Sequence, residues 1–155
     1  MKISDILNED FVVVGLDVSS KEEAINALID LVAKSDKVKN VNKVREAVFE
    51  REKIMTTGVG KGFAVPHGKT DAVTDIVAAF GITKKPIDYD SLDGEPVRLI
   101  FLLVGRDNMV GPHIKLLSRI SKLMNDNNFR ERLLNAKSAK EVVELFKTEE
   151  EKYLG

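Results

Sequence analysis

Val97-Arg98-Leu99-Ile100-Phe101-Leu102-Leu103-Val104 is the stretch on which the fold turns. Apart from Arg98 every residue is apolar, and the run is too short for a buried helix of ordinary length. It therefore reads as a strand covered on both faces and central in a sheet. Upstream, Ile76-Val77-Ala78-Ala79-Phe80-Gly81-Ile82, within residues 74–83, reads as a second buried strand. Lys84 to Gly94 between them reads as a loop with a turn at Asp93-Gly94. Downstream, a loop from Gly105 to Gly111 delivers Pro112-His113 to the first turn of a helix. The apolar spacing of Ile114, Leu116, Leu117, Ile120 and Leu123 carries that helix to Met124.

Further out, Phe11 to Leu16 is β-branched and aromatic, which predicts a strand. Ser20-x-x-Glu23 is a capping box ahead of a helix with Ala24, Ile25, Leu28, Ile29 and Val32 on one face. After a polar connection over residues 36–40, Val41, Val44, Ala47, Val48 and Ile54 keep helical spacing up to Met55. At the other end, Asn128 caps a short helix from Phe129 to Leu134, and Ser138-x-x-Glu141 opens a last one. Glu149 to Glu151 reads as a solvated charged end. Strands alternating with helices predict an α/β class, as one domain over residues 1–155.

Chemistry concentrates between Arg51 and Thr70, Arg-Glu-Lys-Ile-Met-Thr-Thr-Gly-Val-Gly-Lys-Gly-Phe-Ala-Val-Pro-His-Gly-Lys-Thr. Gly58, Gly60 and Gly62 predict a turn able to approach a ligand closely. Phe63-Ala64-Val65 predicts a short strand that Pro66 ends, which leaves His67 at a strand end, and Gly68 leaves room for something to come in. Two nucleotide-loop readings fail on spacing. The third glycine comes one residue too early for a dinucleotide fingerprint. A Walker-type loop from Gly62 to Gly68-Lys69-Thr70 would hold five residues between its glycines instead of four. A metal site built from both histidines with Asp71 or Asp107 lacks ligand spacing.

The pattern Arg-Glu at a helix end, then Thr-Gly-Val-Gly-Lys-Gly, then Ala-Val-Pro-His-Gly, resembles the active-site signature of the fructose/mannitol-type enzyme IIA of the bacterial phosphoenolpyruvate-dependent sugar phosphotransferase system. That family includes nitrogen-regulatory relatives, and the resemblance covers nearly the whole chain. It implies a mixed β-sheet, from residues near 11–16, 63–66, 74–83 and 97–104, flanked by helices. It implies a cytoplasmic phosphotransferase that works without cofactor or metal. His67 would accept a phosphoryl group from the phosphocarrier HPr as tele-phosphohistidine and pass it to a IIB component. The membrane IIC component would be reached only indirectly. Arg51 would stabilise the phosphate with a planar fork of N–H donors, and His113 would support. The glycine-turn amides and the first turn of the His113 helix are expected to help bind the equatorial oxygens. Val65 and Met109 are expected on an apolar docking rim. A regulatory IIA protein, acting through phosphorylation-dependent binding to other proteins, is the alternative reading; the residues do not separate the two, nor do they name a sugar.

Composition narrows the partners. Lys and Arg number 24 against 25 Asp and Glu, a balance that gives no electrostatic case for nucleic acid or anionic membrane. There is no cysteine, so disulfides and thiolate metal sites are excluded. No apolar run approaches the length of a membrane span, so no insertion is expected.

Overall fold

The apolar run forms the middle of the sheet, as its unbroken hydrophobicity requires. In the computed structural model, which describes residues 1–154, the strands are β1 (Val12–Leu16), β2 (Gly58–Gly60), β3 (Phe63–Ala64), β4 (His67–Lys69), β5 (Val77–Ile87) and β6 (Val97–Gly105). The helices are α1 (Lys21–Val32), α2 (Val41–Ile54), α3 (Val110–Met124), α4 (Asn127–Leu134) and α5 (Ala139–Leu154), with short 3-10 turns at Ile3–Asp5 and Glu9–Phe11. The sheet order is β1-β5-β6-β3-β2, and β4 also pairs with β6. Pairing is mixed: β5 runs antiparallel to β6, whereas β3 and β4 run parallel to it.

Side chains alternate across the two central strands. Ala78, Phe80, Ile82, Leu99, Phe101 and Leu103 join Phe129 and Phe146 under α3, α4 and α5. Val77, Ala79, Ile100, Leu102 and Val104 face the other way, onto Ala24, Leu28, Val44 and Val48 of α1 and α2. Phe146 centres the first layer, edge-on to Phe80 and Phe129 at 5.2 Å each.

Several expectations are corrected. β5 continues to Ile87 past an irregularity after Ile82, so the loop begins at residue 88 rather than at Lys84; Lys84, Lys85 and Pro86 are exposed. Pro66 interrupts the edge without ending it, because its carbonyl still accepts from Leu103 N–H at 3.1 Å and β4 resumes the ladder. The glycines form a hairpin: β2 pairs antiparallel with β3, and Lys61 (φ 60°) and Gly62 (φ 81°) are both left-handed, as a two-residue primed turn demands. Asp126, not Asn128, caps α4, accepting from Asn128 and Phe129 N–H. The charged end is no solvated tail. α5 runs to Leu154, and Glu149 and Glu150 are 2% and 1% exposed, facing Arg132 and Arg119.

Candidate functional site

His67 and His113 come from residues far apart in sequence and meet with ring centroids 5.6 Å apart, tilted by 54°. Two glycines make the meeting possible. Gly105 ends β6 opposite Lys69 of β4, and a Cβ there would lie 3.1 Å from His113 Nδ1, so the imidazole rests on bare backbone. On the other side, a Cβ at Gly68 would lie 3.1 Å from the Ala47 carbonyl carbon and from Val48 N. What the small residue admits is therefore the backbone of α2. Ala47 and Arg51 lie one turn apart on that helix, and both line a cavity of about 400 Å³ with His67, Lys69, Asp107, His113, Ile114 and Leu117.

The His67 ring is oriented by the main chain. Its Nδ1 lies 2.8 Å from the Val65 carbonyl, and a carbonyl only accepts, so Nδ1 carries the proton and Nε2 keeps the lone pair. Burial lowers the His67 pKa, and the nearby Arg51 charge lowers it further against the opposing bond to Val65. The ring is neutral and nucleophilic near pH 7.

His113 is 3% exposed and neither ring nitrogen has a hydrogen-bond partner. Burial pushes its pKa down to about 4, with the neighbouring His67 and Lys69 adding to the effect. An unpaired buried donor costs about 1–3 kcal/mol, a cost that folds carry at functional sites. Its neighbour Ile114 is 60% exposed, so α3 has its polar residue inside and its apolar residue outside at this point. The sequence places His113 in the first helical turn, as found, and burial is the largest cause of its lowered pKa.

Arg51 lines the same cavity as His67 and donates from Nη1 to the Met55 carbonyl at 2.8 Å. The glycine hairpin does not. Gly58 and Gly60 pack against Tyr89, Ser91 and Asp93, away from the cavity-lining residues. Of the first-turn residues of α3, Val110 to His113, only His113 lines it, and its backbone N–H bonds to the Met109 carbonyl at 3.0 Å. Val65 is buried and Met109 packs on the core, whereas Val110 (46%) and Ile114 (60%) are the exposed apolar residues of α3 near the site. Lys69 escaped the sequence reading. Once residues 67–69 are known to be a strand, the two-residue period puts it on the His67 side. Of the carboxylates weighed for a metal, Asp107 lines the cavity and Asp71 pairs with Arg106 at 3.6 Å. Among the described residues no group of three or more His, Cys, Asp or Glu could hold a metal ion.

Residues 5–149 match the family described as phosphoenolpyruvate-dependent sugar phosphotransferase system, EIIA 2. The chain belongs to this family. It is 32% identical over 145 residues to the "PTS system fructose-specific EIIABC component" of Bacillus subtilis (strain 168), covering 94% of the chain but 23% of that relative. The chain thus spans about a quarter of the length of that protein. Among solved structures, nitrogen regulatory protein IIA-Ntr from Neisseria meningitidis superposes with a TM-score of 0.88 at 33% identity, over 93% of this chain and 98% of that one. The complex of enzyme IIAMTL and phosphorylated enzyme IIBMTL from Escherichia coli gives a TM-score of 0.79 at 26% identity, over 92% and 97%. These likenesses agree with the mixed sheet and its two helical layers. No described helix is long and apolar enough to cross a membrane.

Proposed function

We propose that this EIIA-family chain is a phosphocarrier in which Nε2 of His67 takes a phosphoryl group from phospho-HPr and passes it to a IIB component. The observation that carries the reading is the bond from His67 Nδ1–H to the Val65 carbonyl, which leaves Nε2 as the unprotonated nitrogen of a cavity-lining ring. In the transfer, the bond from phosphorus to the donor nitrogen breaks as the bond to Nε2 forms, giving tele-phosphohistidine. Nδ1–H stays on Val65, so no proton need move on this ring. Arg51 donates N–H to the equatorial oxygens, and His113, neutral and otherwise unpartnered, supplies a second donor. Since imidazole is a good leaving group once phosphorylated, the reverse geometry serves the onward step. The carrier works in the cytoplasm beside the membrane IIC component, without touching the sugar.

The experiment is phosphorylation with phosphoenolpyruvate, enzyme I and HPr, read by intact mass, with His67→Ala in parallel. One acid-labile phosphoryl group, lost in the variant, is the expected result. Phosphorylation retained in His67→Ala, or none in the wild-type chain with several HPr sources, overturns it. A second reading, regulation through phosphorylation-dependent protein binding, is favoured by the likeness to IIA-Ntr, at 0.88 against 0.79 for the mannitol-system complex. Transfer onward to fructose- or mannitol-class IIB separates the two: a carrier for uptake delivers the group, and a regulator retains it.

A further inference from the structure

Glu52 follows Arg51 in the sequence but points the opposite way, into the fold, where its side chain is 5% exposed. Its carboxylate receives Lys21 Nζ at 2.8 Å, the Thr57 backbone N–H at 2.7 Å and the Thr57 hydroxyl at 2.5 Å. Tyr89 closes the cluster, with its hydroxyl 3.0 Å from Thr57 Oγ1 and Lys21 Nζ 4.9 Å from its ring centroid. Burial raises the carboxyl pKa, but Lys21 and the Thr57 donors outweigh that, so the group is held charged. A buried ion pair is weak grounds for added stability, since an apolar replacement of similar volume often does as well. A cluster of this kind calls for a geometric reason.

The reason lies between its two ends. Residues 52 to 57 bracket the exit of α2, where Met55 has already left helical geometry (φ −163°, ψ 139°). The Met55 carbonyl is the group that accepts the Arg51 guanidinium. Neither Ile54, 81% exposed, nor Met55, 57% exposed, has packing that would fix this link. Thr57 also accepts from Val65 N–H at 3.1 Å, but the β3–β4 segment is tied independently to β6, so the placement of His67 does not depend on the cluster, although the Glu52 charge acts to raise the His67 pKa. Arg51 does.

We propose that Glu52 is a positioning residue for Arg51: by clamping Thr57 to the end of α2, it fixes the Met55 carbonyl that holds the guanidinium at the cavity beside His67. The proposal rests on the phosphocarrier reading given above for its kinetic consequence, and on geometry alone for the clamp.

The test is a double-variant cycle with a spectroscopic arm. Transfer from phospho-HPr is measured for the wild-type chain, Glu52→Gln, Arg51→Ala and the double variant, at saturating and limiting donor. Arg51→Ala is expected to lower the maximal rate about a hundredfold, in the range for loss of one donor to a developing charge. Glu52→Gln is expected to lower it about tenfold, with donor KM within about twofold, and the double variant to match Arg51→Ala within about threefold, because residues acting as a unit are not additive. Thr57→Val, which removes the hydroxyl donor to Glu52 but leaves those of Lys21, the Thr57 backbone and Tyr89, serves if Glu52→Gln does not fold and is expected to show the same coupling at smaller size. In parallel, the Arg51 side-chain N–H signals, assigned by NMR from their loss in Arg51→Ala, are expected to be protected from exchange in the wild-type chain and unprotected in Glu52→Gln. A Glu52→Gln loss that recurs in full in the Arg51→Ala background, or unchanged Arg51 signals, overturns the proposal. A wild-type chain that takes no phosphoryl group refutes the phosphocarrier reading instead, and the NMR arm still decides whether Glu52 holds Arg51.

Discussion

Replacing Gly68 by Ala should damage both stability and transfer, and the size follows from three contacts. The added Cβ would stand 3.1 Å from the Ala47 carbonyl carbon, 3.1 Å from Val48 N and 3.3 Å from Ala47 O. All three are backbone atoms of α2, so no side chain can swing aside; the helix must move off β4 by a few tenths of an ångström. Overpacking of this kind costs about 1–3 kcal/mol. A central value of about 2 kcal/mol corresponds to a fall of about 4–8 °C in Tm for a chain of this size. Because Arg51 lies one turn beyond Ala47, the same shift displaces the guanidinium, and transfer from phospho-HPr should fall about tenfold, a modest share of the hundredfold that a 1 Å misplacement can cost. Gly111→Ala is the matched control. Nothing lies within 4 Å of its added Cβ, and the position is helical, so it should gain about 0.5–1 kcal/mol and transfer normally. Calorimetry with a phosphorylation time course checks both. A Tm for Gly68→Ala within about 1 °C of wild type, or the same loss in Gly111→Ala, would refute the argument that close packing of helix on strand builds the site.

Three further outcomes follow from the same geometry. His113 has its pKa at about 4 in the fold against 6.5 in the unfolded chain, so the unfolded state takes the proton first and stability falls between pH 6.5 and 4. The full loss is about 3 kcal/mol, of which about 2 kcal/mol has gone by pH 5; urea unfolding at pH 7 and pH 5 should show this in wild type, and His113→Phe should remove most of it. Glu150→Gln should cost about 3 kcal/mol by urea unfolding, because the buried carboxylate accepts from Ile3 and Ser4 N–H and from Arg119 Nε, and an amide cannot serve all three. A loss below about 0.5 kcal/mol would mean that the carboxylate is not needed to dock the N-terminus. Arg51→Lys keeps the charge but loses the fork that holds the Met55 carbonyl and, in the proposed transfer, would hold a phosphoryl oxygen as well. Transfer should fall about ten- to a hundredfold with little change in Tm, and equal rates would show that charge alone suffices.

The central strands, the five helices and both histidines were legible because each rests on a local signal: an apolar run, a capping box, a Pro-His pair. What escaped depends on distant partners. β2 and β4 consist of Gly-Val-Gly and His-Gly-Lys, poor strand formers taken alone, and they are strands because β6 and β3 offer edges to them. Glu149 and Glu150 look like a solvated end until Arg132, Arg119 and the amides of Ile3 and Ser4 are brought to them by the fold. Asp126 and Asn128 are both good caps, and no local rule chooses between them.

The glycine-rich run shows where local reasoning assigned the wrong kind of importance. Its left-handed turn at Lys61-Gly62 is real, but the hairpin it makes packs on residues 89–93 and leaves the cavity to others. The two glycines that matter for chemistry are Gly68 and Gly105, singled out by no periodicity, and each matters for the atom it does not have. One lets α2 bring Arg51 to β4, and the other lets His113 lie on the end of β6. The signature around His67 is thus a description of close packing as much as of reactivity: Gly68 admits the helix that carries the guanidinium, Gly105 admits the neutral His113 ring, and the Val65 carbonyl fixes the tautomer.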